Sequence, residues 1–276
     1  MAERPTNSPA AGGAPPDRVA ASRAASGEEL RELLHSARED VLAAVLENPA
    51  FDRDHAALLS ALLDRKDLPE PILERIAKRT SWMSDPAVRQ KTATHPRASR
   101  RVAARLLREA HLQDLVQLSL QPATSSEARR LAEELIVGRI GQLPLGQKIT
   151  LARRSSARVA GALLADCSHS VVAAALDNSF LTEAQVLKAL AQRTLEAQTV
   201  SAVGHHAKWS KQNAVRLALV THPRAPLDRV MALLPELPRR DLEDLAAVAH
   251  LPLSLRRYLR HELARRLRVA KEPSTE

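Results

Sequence analysis

Ala87-Val88-Arg89 and Thr94-His95-Pro96-Arg97-Ala98 occur a second time, at a constant offset of 127, as Ala214-Val215-Arg216 and Thr221-His222-Pro223-Arg224-Ala225. Trp82 and Trp209, the two tryptophans of the chain, keep the same offset. So do Leu106-Leu107 with Leu233-Leu234, Glu109 with Glu236, Asp114-Leu115 with Asp241-Leu242, and Leu118 with Leu245. Without a gap, 15 of the 37 positions from Trp82 to Leu118 match their copies. The alanine and leucine content alone accounts for about three or four, so the stretch is an internal repeat. A shorter echo lies upstream. Val171 to Asn178 repeats five of the eight residues from Val41 to Asn48, at an offset of 130.

Between these landmarks the chain reads as short helices separated by punctuation. Ser26-x-x-Glu29 has the form of a capping box, and Leu30, Leu33, Leu34, Val41, Leu42 and Val45 follow it as a helical stripe that stops at Asn48-Pro49. Asp67-x-x-Glu70 and Asp85-Pro86 open further helices, the second ending at His95-Pro96. Ser99, Thr124-x-x-Glu127, Gln142, Ser156 and Thr182 start others. A basic helix runs from Ser254 to about Lys271. The expectation is 11 to 14 helices stacked as an elongated right-handed array. His95 and His222, at matching helix ends, are read as capping groups for the last free carbonyls.

Composition agrees with an all-α fold. There are 8 glycines in 276 residues, aromatics supply 2% and the apolar share is 45%, so the core is aliphatic. The expected organisation is a disordered tail at 1–26, a repeat domain at 27–271 with duplicated halves at about 41–140 and 171–270, and a disordered end at 272–276. The alternative architecture is two compact helical bundles, one per copy. A lone cysteine, Cys167, excludes an internal disulfide and a Cys-rich metal site, and is read as a small buried residue. Neither an N-terminal apolar leader nor a run of 18 apolar residues is present, which leads to a cytoplasmic assignment without integral membrane association.

The elements Leu46-Glu47-Asn48-Pro49, Ala93-Thr94-His95-Pro96, Leu176-Asp177-Asn178-Ser179 and Val220-Thr221-His222-Pro223 each precede a helix with a Leu-rich core stretch. In this the chain resembles bacterial HEAT-like and leucine-rich-repeat-variant arrays over residues 28 to 270. The resemblance implies an α-solenoid fold, and the function expected from the commonest use of such arrays is a scaffold whose concave face holds a protein or peptide. Some leucine-rich-repeat-variant proteins carry an iron–sulfur centre on a cysteine cluster. This chain lacks those cysteines, and no cofactor is expected.

Chemistry-bearing motifs are sparse. A glycine-rich phosphate loop, a nucleophile elbow and zinc-type Cys/His spacing are all absent from the sequence. The adjacent His205-His206 point about 100° apart on a helix and do not chelate one ion. Basic residues are the more suggestive feature, with Lys plus Arg at 41 against 32 acids, a net charge of +9. Arg129, Arg130, Arg153, Arg154, Arg256, Arg257, Arg260 and Arg265 are the candidate basic track, with Trp82 and Trp209 as candidate stacking surfaces. Leu255, Leu259, Leu263 and Leu267 mark the side of the last helix that docks, leaving Arg257, Arg260, Arg265 and Arg268 outward. The alternative function is therefore sequence-independent nucleic-acid binding, with a HEAT-like DNA glycosylase as its enzymatic form. The first reading is not an enzyme.

Overall fold

A computed structural model describes residues 16–247 and 253–269, with side-chain environments for 18–247 and 256–266. The chain is all-helical there, with no strand among the described residues. It divides into two compact units between Ala132 and Glu133.

The first unit contains α1 (Pro16–Ala24), α2 (Glu28–Leu33), α3 (Glu39–Leu46), α4 (Pro49–Arg53), α5 (His55–Leu63), α6 (Glu70–Lys78), α7 (Thr80–Met83), α8 (Pro86–Thr94), α9 (Arg100–Arg108) and α10 (Leu112–Leu120). The boundary falls inside α11 (Ser126–Arg139). Within this unit α1, α3, α6 and α9 pack successively side by side, and α5 packs on α8. In the second unit come α12 (Leu145–Arg154), α13 (Ala157–Leu163), α14 (His169–Leu176), α15 (Glu183–Leu190), α16 (Ala197–His205), α17 (Asn213–Thr221), α18 (Leu227–Leu233), α19 (Arg239–Ala247) and α20 (Leu253–Val269). Here α12, α14 and α16 form one row, and α13, α15 and α17 a second.

Several helix starts have a readable local cause. Asn48 and Asp85 sit at N-caps before Pro49 and Pro86, and their side chains accept from Ala50 N–H and Ala87 N–H, both at 2.8 Å. In α9 the apolar set Val102, Ala103, Leu106 and Leu107 is buried, while Arg100, Arg101, Arg105 and Arg108 are exposed. The core is built almost entirely of Leu, Val, Ile and Ala, each fully buried large side chain contributing about 1.5–3 kcal/mol.

Several boundaries differ from expectation. Twenty α-helices are present among the described residues rather than 11 to 14. The stripe from Leu30 to Val45 is not one helix, because residues 34–38 leave the helical path. There the Arg65 guanidinium donates to the carbonyls of Leu34 and Ser36, and is itself braced on Asp67 at 2.8 Å. Ser26 does not cap α2. Gly27 takes that position at φ 59°, a left-handed backbone that costs glycine nothing.

Part of the expected disordered tail at 1–26 is helical. Residues 16–24 are helical, Ser22 and Ala25 are buried, and the Asn48 side chain ties both of their carbonyls. Small side chains that show no apolar stripe are docked here by hydrogen bonds. Residues 1–15 and 270–276 lie outside the described residues.

Candidate partner-binding surface

A recurring polar contact links successive helix layers. Asn48 is 2% exposed, and its Nδ2 donates to Ser22 O at 3.0 Å and Ala25 O at 2.8 Å. Asn178, also 2% exposed, donates to Ala152 O at 2.7 Å and Ser155 O at 3.1 Å. In both cases the acceptors lie 26 and 23 residues back, and Oδ1 accepts the N–H two residues on. Buried His95 and His222 do the same with imidazole. His95 Nε2 meets Arg65 O at 2.6 Å, and His222 Nε2 meets Gln192 O at 3.3 Å. The Nδ1 atoms accept from Arg97 N–H and Arg224 N–H, which leaves the proton on Nε2 to be donated to the carbonyl. The histidines do sit at helix C-termini, but they bond the preceding helix layer and not the carbonyls of their own helices.

The arginines repeat this logic. Arg79 donates to Leu46 O at 3.0 Å, Arg105 to Ala77 O at 2.7 Å, Arg229 to Gly204 O at 2.6 Å and Arg266 to Leu237 O at 2.7 Å. Arg97 and Arg224 hold the carbonyls of Asp67 and Thr194. Leu46, Ala77 and Gly204 lie in the last turns of α3, α6 and α16, where carbonyls have no partner of their own and carry the negative end of the helix dipole, so a guanidinium there satisfies both.

The predicted site residues separate into three groups. Trp82 and Trp209 are each 1% exposed and therefore cannot offer a free ring face. Trp82 donates from Nε1 to Asp52 at 3.0 Å, with Phe51 and the Arg79 guanidinium against its ring. Trp209 donates to Leu176 O at 3.0 Å and lies under Lys208. They are inter-helix packing, a correction to their place on the surface. Arg129 and Arg265 are occupied. Arg129 gathers the carbonyls of Gln121, Pro122 and Thr124, and Arg265 pairs with Glu262 at 2.8 Å. Arg130, Arg153, Arg154, Arg257 and Arg260 are exposed, and Arg256 is half-buried. They belong to both units, Arg130 to the first and the rest to the second.

On α20, Leu259 is fully buried and Leu263 half-buried, as the stripe predicts, while the side chains of Leu255, Leu267 and Arg268 lie outside the described residues. Glu262 is buried beside them. The Arg265 hydrogen bond, helped by Arg266 against the cost of burial, holds its carboxyl down at about 2. Lys148 and Asp166 form a second well-shielded pair at 2.8 Å, its carboxyl held below the usual range although burial opposes this. Cys167, expected buried, is exposed.

Helix α9 holds none of the expected site residues, yet its exposed positions are all arginine. The signal was available as Arg100, Arg101, Arg105 and Arg108 around a four-residue apolar stripe. Among the described residues no group of three or more His, Cys, Asp or Glu is placed to hold a metal ion. No helix there is long and apolar enough to cross a membrane. No protein-family model, curated protein or solved structure matches this chain.

Proposed function

We propose that the chain is a non-catalytic α-solenoid scaffold of HEAT-like helix pairs, duplicated over nearly its whole length, that binds a protein or peptide partner on its concave face. The observation that carries this reading is the spacing of the layer-to-layer hydrogen bonds, identical for Asn48 and Asn178 and again for His95 and His222. Helix limits support it. At the offset that relates His95 to His222, the bounds of α6, α8 and α10 recur as those of α16, α17 and α19. The first residues of α9 and α11 recur in the same way as those of α18 and α20. Likewise α3 recurs as α14, at the offset that relates Asn48 to Asn178. On this reading the halves start near residues 16 and 145, earlier than the sequence matches alone suggest. Polar side chains that join each layer to the one before it are what a repeat array needs, since each repeat contacts mainly its neighbours.

Immobilised chain should capture a partner that, once both are purified, forms a saturable complex by calorimetry and survives nuclease treatment. The second reading, nucleic-acid binding, draws on the exposed Arg153, Arg154, Arg257 and Arg260. Capture abolished by nuclease, with duplex DNA binding that falls linearly in log–log with salt, would favour it over the scaffold.

A further inference from the structure

We infer that the groove between α6 and α9 is a docking site for a carboxylate-rich peptide segment of a partner protein. The inference rests on the scaffold reading and names its partner chemistry. Glu74 and Lys78 of α6 and Arg101, Val102 and Arg105 of α9 line a groove of about 240 Å³. Three of the five are cations. Arg101 is 83% exposed at its side chain and touches Glu74 at 3.1 Å, while Lys78 is exposed with no carboxylate against it among the described residues.

The fold does not require the charges of Lys78 and Arg101. At the corresponding helices of the second copy, Lys78 is replaced by His205, Arg101 by Asp228 and Arg105 by Ala232. Arg100 and Arg108 become Leu227 and Pro235. Yet α16 and α18 form at the same bounds or the same start, and the carbonyl clamp that Arg105 supplies on α6 is supplied on α16 by Arg229. Arg105 thus does a structural job that the copy keeps with another arginine, whereas Lys78 and Arg101 have no Lys or Arg counterpart and are additions to helices that fold without them.

Charge and shape select the occupant. A groove edged by cations, with Val102 and aliphatic stems at its base, suits acidic side chains flanking a small apolar one. A polyanion lying along the same helix row would next meet Asp40 of α3 and Glu47 just beyond it, which already pair with Arg38 and Arg75 and compete with phosphates for them. A short peptide avoids them; a continuous phosphodiester does not.

The test is fluorescence anisotropy of the full chain with a short fluorescein-labelled peptide of alternating Glu and Leu. A Lys-Leu peptide and a single-stranded oligonucleotide of equal charge serve as comparisons. The acidic peptide should bind, and Lys78→Glu with Arg101→Glu should weaken it at least about tenfold, the size expected for reversing two contacts at a rim. Lys188→Glu with Arg193→Glu, two exposed cations away from the groove, should leave it unchanged. Far-UV circular dichroism and melting of the variants confirm folding. Absent binding by the wild-type chain, undiminished binding by the groove variant, or tighter binding of the oligonucleotide each overturns the assignment. Undiminished binding by the groove variant would leave the scaffold reading standing with its surface elsewhere, whereas a nuclease-sensitive partner would remove that reading itself.

Discussion

Asn178→Ala and Asn48→Ala delete the same three hydrogen bonds and should not cost the same. In each, two carbonyls lose their donor and one N–H loses its acceptor. A buried group left unpaired costs about 1–3 kcal/mol, so three set a ceiling that partial relaxation brings to about 3–5 kcal/mol. At Asn178 there is no escape, because Ala152 and Ser155 are fully buried where α12 turns into α13 and both helices are packed on the next layer. At Asn48 the stranded carbonyls belong to Ser22 of α1 and to Ala25 just beyond it, and the described side chains of that segment bury little else. If α1 detaches, water satisfies Ser22 O and Ala25 O, and the loss is limited to undocking one weakly held helix, about 1–2 kcal/mol by the same accounting. Urea unfolding followed by far-UV circular dichroism would measure both, compared at a common m-value. Equal losses, or a larger one for Asn48→Ala, would refute the argument that relief by fraying decides the difference.

Glu262 supplies an acid-sensitive contribution. Its folded value of about 2 lies below the ordinary 4.5, so the stabilisation is present above about 4.5 and is lost as pH falls through about 2. The wild type should lose at most about 3 kcal/mol more than Glu262→Gln across that window, less if solvent screens the half-exposed Arg265; parallel urea midpoints against pH would rule this out. Gly138→Ala, in α11 with open space around it, should raise stability by about 0.5–1 kcal/mol. Gly161→Ala should fail to do so, since its new Cβ would meet Gln185 Cβ at 2.9 Å, and thermal melts of the pair check the contrast. Cys167 should react with a thiol reagent in the native protein as fast as in urea; slow native labelling would contradict its exposure.

What the sequence made legible was whatever has a local signature. Asp85-Pro86 announced the start of α8 and His95-Pro96 its end, because proline and a capping carboxylate act within a few residues. In the sequence Asn48 reads as a helix stop and His95 as a cap of its own helix, and neither reads as a buried clamp on the preceding layer. Their partners are backbone carbonyls 23 to 30 residues back, and a carbonyl has no letter in the sequence. The arginines were misjudged for the same reason. Arg129 in a basic pair looked like an anion contact, yet it closes its own turn, and Arg265 is held by the one acid of its helix. Helix α1 escaped notice because Val19, Ser22 and Ala25 form no apolar stripe, and its docking depends on Asn48. The α6–α9 groove required knowing that those two helices are neighbours, although the arginine face of α9 was readable on its own.

Native-state hydrogen exchange of Asn178→Ala, read peptide by peptide against the wild type, tests the repeat organisation most directly. An array couples each layer mainly to its neighbours. The loss of protection should therefore be greatest in α12 to α15, fade by α17, and leave α8 and α9 untouched. A uniform loss across residues 145–221 would mean that this unit is one cooperative bundle, and would contradict the array.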